Sequence, residues 1–124
     1  MRNLIDTLLA PRLLRPLFWV LAAIALTMAL LPQPPHLPID RFGDKFAHML
    51  AFAALAGVAT LAWRDRPVWR AMVGLSLFGA AIEVLQMIPV LHRDADIRDW
   101  VADSLAIVVA TGAALLLLRL LDRR

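Results

Sequence analysis

Hydrophobic residues run through this chain in four long blocks, residues 13–31, 46–63, 68–91 and 100–121. Polar residues are confined to the gaps and to a few isolated positions inside the blocks. At 1.5 Å per residue each block gives a helix of about 27 Å or more, enough to cross a bilayer core of ~30 Å with tilt or thinning. Pro16 stands near the start of the first block, and the run PQPPHLP follows its end. Its prolines block helical continuation, so 32–41 reads as an extended loop. The second block stops at Arg64-Asp65-Arg66-Pro67, a turn short enough to force an antiparallel neighbour. The third ends near Pro89, and the polar stretch 92–98 leads into the fourth. Ahead of the first block, Leu4, Ile5, Leu8 and Leu9 share one face beside Arg2 and Arg12, the pattern of a short helix lying on a membrane surface. These elements predict an all-α fold, a four-helix antiparallel transmembrane bundle in up-down-up-down order, built as one domain over residues 1–124.

Composition agrees with that pattern. The 124 residues are 61% hydrophobic and 19% charged, a balance that leaves whole stretches without the polar face a soluble domain needs. The absence of cysteine excludes disulfides, thiolate metal sites and cysteine nucleophiles. The N-terminus superficially offers a basic region and an apolar run, but no small-residue cleavage site follows, so it reads as an uncleaved first helix.

The net charge of +3 is almost wholly arginine at block ends, with no Lys/Arg run longer than two, which excludes a nucleic-acid patch. Nine basic residues (Arg2, Arg12, Arg15, Arg64, Arg66, Arg70, Arg119, Arg123 and Arg124) fall on one side of the bundle, and four (Arg41, Lys45, Arg93 and Arg98) on the other. The positive-inside bias puts both termini in the cytoplasm of a cell whose inner membrane holds the chain, with the first and third loops facing outward.

That orientation gathers the isolated polar residues at one membrane face. Asp44 and Lys45 open the second helix there, with His48 about 5 Å deeper. Asp99 opens the fourth helix, with Asp103 one turn in, while Glu83 and Gln86 lie near the outer end of the third and Arg93 in the loop beyond. Asp44, His48 and Phe52 are spaced by four, as are Asp99 and Asp103. Ser76, Gly79, Glu83 and Gln86 follow steps of three and four, so each set shares a helical face. Gly79 leaves room beside Glu83 for another backbone or a ligand. Ala53 with Gly57, and Ala106 with Ala110, offer small-residue faces for close packing. Charges inside hydrocarbon cost at least ~2.5–3.5 kcal/mol each, so they usually pair, face a cavity and carry function.

At these residues the chain resembles the VanZ-like family of small membrane proteins. The motifs are DKFAHMLAF from Asp44 to Phe52, Glu83 and Gln86 in EVLQ, and Arg93 followed by Asp99 in RDADIRDWVAD. Family members often carry Asn four residues beyond that Asp and a Gly soon after, where this chain has Asp103 and Ala106. The resemblance implies an integral membrane protein, in a family named for a link to resistance to the glycopeptide antibiotic teicoplanin, and it supplies no molecular activity.

Two functional readings stay open. In the first, the outward polar pocket binds or modulates a lipid or lipid-linked envelope molecule. Lys45 and Arg93 would meet phosphate or carboxylate, and Asp44, Glu83, Gln86, Asp99 and Asp103 would meet hydroxyls or amines. In the second, an intramembrane enzyme acts on a lipid head group, with His48 and Glu83 as acid and base. A proton-coupled carrier fits less well, since the inner half of the bundle lacks polar residues.

Each residue also has a structural explanation: Glu83 as a neutralised buried carboxylate, the charged set as interhelical salt bridges. The histidine and carboxylates would suit Mg²⁺ or Mn²⁺, but the spacing does not demand an ion and Lys45 and Arg93 already bring positive charge. No metal or cofactor is expected. Ser104 lacks a histidine partner for nucleophilic chemistry. His36 and His92 read as solvated, the methionines as packing, and Trp19, Trp63, Trp69 and Trp100 as an aromatic belt.

Overall fold

The computed structural model describes residues 2–31, 44–91 and 96–123, and every element in them is helical. The loop expected at 32–41, together with His36, His92 and Arg93, lies outside the described residues, as do the side chains of Asp44 and Lys45. A short helix, α1 (Arg2–Leu8), precedes four long ones: α2 (Pro11–Leu30), α3 (Asp44–Ala62), α4 (Val68–Gln86) and α5 (Ile97–Asp122).

Local chemistry sets the helix ends. Pro11 starts α2, where its fixed φ suits the first helical position and its missing N–H is not needed. The helix stops at Leu31, held extended at ψ 130° because the next residue is Pro32 and helical geometry before proline is disfavoured. The third block was expected to stay helical to Leu91, but α4 ends at Gln86. Pro89 has no N–H to give the Leu85 carbonyl and disfavours a helical Ile88. The chain closes instead with Met87 N–H on Val84 O (3.2 Å), Ile88 N–H on Leu85 O (3.1 Å) and a single 3₁₀ turn, Pro89–Leu91. Helix α5 begins at Ile97, earlier than the apolar block, because the Asp96 carboxylate caps it by accepting the Arg98 N–H at 2.9 Å.

Polar ties report the direction of each helix. Near the start of α2, Arg15 donates to Ala62 O at the end of α3 (3.1 Å) and pairs with Asp65 (3.2 Å), so α2 and α3 are antiparallel. The end of α4 meets the end of α2 through Gln86 and Ala29, so these two are parallel. The start of α5 meets the end of α4, where Asp96 N–H donates to Glu83 at 2.9 Å, while Ser104, further along α5, lies 3.0 Å from Ser76 in mid-α4, so α5 runs antiparallel to α4; Trp100 adds a bond to Ser76 O at 2.9 Å. The order is up-down-up-down. Helix α3 is the hub, packed on α2, α4 and most extensively on α5. It brings Phe52, Leu55, Ala56, Ala59 and Ala62 into the interior. The small residues that let α3 be enclosed are Ala56, Ala59 and Ala62; Gly57, expected to serve close packing, opens onto empty space.

The outer surface is apolar. Leu17, Val20, Ile24, Leu77, Leu105 and Val109 are all exposed, an arrangement suited to lipid and far beyond the apolar patches of soluble monomers. Helices α2, α4 and α5 are long and apolar enough to cross a membrane, whereas the apolar part of α3, Phe46–Ala62, is shorter. The chain has the character of an all-helical membrane protein.

Candidate functional site: carboxylates where three helix ends meet

The start of α3, the end of α4 and the start of α5 lie at one end of the bundle, and they carry the expected polar residues. The structure divides these residues into distinct roles.

Gln86 is buried to 2% exposure, and its side-chain amide donates to the Ala29 carbonyl at 2.9 Å. That carbonyl sits in the last turn of α2, where no further helical N–H can reach it. Gln86 therefore fastens α4 to α2. Glu83, one turn earlier on the same stripe, reaches α5 instead. Its Oε2 accepts the backbone N–H of Asp96 at 2.9 Å, while the Asp96 carboxylate caps α5. The pairing works as a capping box whose glutamate comes from a neighbouring helix instead of the same one. Glu83 is half-buried.

Asp103 differs from both. On α5 the buried positions Asp103, Ile107, Thr111 and Ala114 form one stripe, the face with which α5 meets the bundle interior. Asp103 is the outermost member of that stripe, 2% exposed, and its Oδ1 has no hydrogen-bond partner among the described residues. Asp99, one turn earlier, and Glu83 are close enough to repel it electrostatically. Glu83 likewise feels Asp99 and Asp96. His48 and Asp99 are half-buried, and both take part in interactions. Among the described residues, no three His, Asp or Glu side chains converge as metal ligands would.

The space expected beside Gly79 is taken. A methyl there would meet the Phe52 ring at 3.4 Å and the Trp100 ring at 3.6 Å, so the glycine seats two aromatic edges and no ligand. Trp100 is accordingly more than a belt residue: its indole joins α5 to the Ser76 carbonyl. Ser104, which lacked a catalytic partner in the sequence, spends its hydroxyl on Ser76.

The arrangement brings together Glu83, Asp99 and Asp103, removes Gln86 to a structural tie, and adds Asp96, which the sequence reading left unassigned. Position alone did not single out Asp96: Asp94, Asp96 and Asp99 all precede the apolar block, each a residue type that caps helices, and Asp99 stands nearest to it. Chemically, the cluster offers carboxylate oxygens to hydrogen-bond donors or cations. Comparison with protein-family models, curated proteins and solved structures gives no match for this chain.

Proposed function

We propose that this chain is a VanZ-like multi-pass protein of the inner membrane, whose outward polar end binds the head group of a lipid or lipid-linked envelope molecule. The observation that carries the reading is Asp103. A carboxylate buried among helices with one oxygen unpartnered among the described residues is costly, and a donor-bearing ligand group would offset that cost. Asp99, one turn from Asp103 on α5, and Glu83 at the end of α4 are assigned to the same ligand. Hydroxyls and amines are the complementary chemistry, with Lys45 and Arg93 assigned to any phosphate. The DKFAHMLAF, EVLQ and RDADIRDWVAD motifs support the family assignment, and teicoplanin tolerance is the phenotype in which such binding would register.

The membrane arrangement belongs to the same proposal. Helices α2 and α4 run in the same direction, so if both cross the bilayer the chain must return between them. Helix α3 is the described helix lying between them, which makes it the fourth span despite its shorter apolar run. Enclosure by α2, α4 and α5 spares it from matching the full hydrocarbon thickness. Nine basic residues against four then place both termini in the cytoplasm and the carboxylates outside.

The test is to extract the wild-type protein and Asp103→Asn with their surrounding lipid and to compare the lipids that co-purify. The expected result is one lipid class enriched with wild type and lost from the variant at equal protein yield. Identical lipid profiles for the two proteins would refute the head-group reading.

A further inference from the structure

The opposite end of the bundle carries a second feature. A cleft of about 530 Å³ opens between α2, α3, α4 and the C-terminal half of α5. This volume falls within the ~300–1,000 Å³ typical of small-molecule sites. Phe18, Leu75, Phe78 and Leu115 wall it, and Trp19, exposed on the outer surface of α2, flanks its opening. Gly74 contributes open space, since a methyl placed there would touch nothing within 4 Å. Three arginines, Arg64, Arg66 and Arg70, stand around the mouth.

These arginines are unevenly occupied. Arg64 donates to the Leu9 carbonyl and ties the start of α2 to the α3–α4 turn. Among the described residues Arg66 has one carboxylate contact, 3.8 Å from Asp65, which already pairs with Arg15 at 3.2 Å. Arg70 lies over the Trp69 ring at 5.8 Å and has no carboxylate partner among the described residues. One aspartate thus serves two guanidinium groups, and the mouth keeps uncompensated positive charge. Guanidinium forks match phosphate oxygens in pairs, and the apolar walls match hydrocarbon.

We infer that this cleft is a binding site for an anionic glycerophospholipid, with an acyl chain between Phe18, Leu75 and Phe78 and the phosphate on Arg66 and Arg70. The site is separate from the carboxylate cluster and of opposite charge, so it selects a different ligand. Trp19 and the exposed faces of α2 and α4 give the cleft a lateral, lipid-facing entrance, which favours a membrane lipid over a soluble anion.

The experiment uses the full chain in detergent micelles containing equal amounts of phosphatidylglycerol and phosphatidylcholine, with retained lipid read by native mass spectrometry. Wild type is expected to hold one phosphatidylglycerol with at least a tenfold preference. Arg66→Gln with Arg70→Gln should abolish the preference, and the corresponding lysine pair should keep part of it. Gly74→Phe, whose Cβ would meet nothing within 4 Å, puts a ring into the cleft and should displace the lipid while the helical spectrum is unchanged. If one variant fails to fold, the other decides. Equal retention of the two lipids by wild type, undiminished phosphatidylglycerol on a folded Gly74→Phe protein, or displacement by inorganic phosphate alone would each overturn the assignment.

Discussion

Glu83 and Gln86 share a helical stripe in the sequence, yet they serve different neighbours. Spacing places both near the end of α4, but a hydrogen bond to Ala29 of α2 or Asp96 of α5 depends on which helix stands on each side, and a periodicity does not encode that. The consequences at single residues are testable. Replacing Gln86 by Leu leaves the buried Ala29 carbonyl unpaired, which should cost about 1–3 kcal/mol, read as a lower midpoint in detergent-based unfolding. Glu83→Gln keeps an acceptor for the Asp96 N–H, so its stability should stay within ~0.5 kcal/mol of wild type. Glu83→Ala should lose about 1 kcal/mol, because α5 loses part of its cap. Asp103→Asn keeps the shape of a buried side chain that has one oxygen unpartnered among the described residues, and should stay within about 1 kcal/mol of wild type even as it removes the proposed ligand. A marked loss of stability in that variant would mean that the carboxylate already has a structural partner.

At the scale of elements, the four helices were legible because apolar blocks of that length have few alternatives, and because Pro32 and Pro89 act locally, whereas Pro16, read as the boundary of the first block, lies inside α2, which starts at Pro11. Their ends moved for reasons equally local: the Asp96 carboxylate caps and lengthens α5, and Pro89 shortens α4. Packing was read less well. Gly57 and Gly79 both drew attention as small residues, but only neighbours in space decide what a glycine admits. Gly79 faces Phe52 and Trp100 at ordinary contact distance, so Gly79→Ala should fold normally, whereas Gly79→Leu should displace both rings and cost about 1–3 kcal/mol, measured by thermal melting. The arginine-rimmed cleft was not legible at all. Arg64 and Arg66 read as a topology anchor, and the tryptophans as a belt. The cavity arises only when Phe18 of α2, Leu75 and Phe78 of α4 and Leu115 of α5 stand around the space Gly74 leaves open.

For the whole molecule, charge is divided along the bundle. The end bearing the α3–α4 turn and both described termini is arginine-rich, and the other gathers Glu83, Asp96, Asp99 and Asp103. An apolar exterior lies between them. A bilayer accommodates this polarity in either of two orientations, and the proposed one follows the basic excess, because lysine and arginine resist translocation while acidic residues contribute little. A periplasm-dependent phosphatase fused after Arg124 should therefore be inactive, and the same enzyme inserted within residues 32–39 should be active. Cysteine pairs complement this, as the chain has none of its own. Cysteines at Phe18 and Trp63, whose ring centroids lie 5.1 Å apart, should be joined by a flexible bifunctional thiol reagent, a cross-link that a membrane-impermeant thiol reagent added outside does not block. Paired helices in an inverted orientation would still cross-link, but the impermeant reagent would then block the link and the fusion activities would exchange. That joint outcome would turn the carboxylate cluster toward the cytoplasm, where an envelope head group on the outer leaflet is out of its reach.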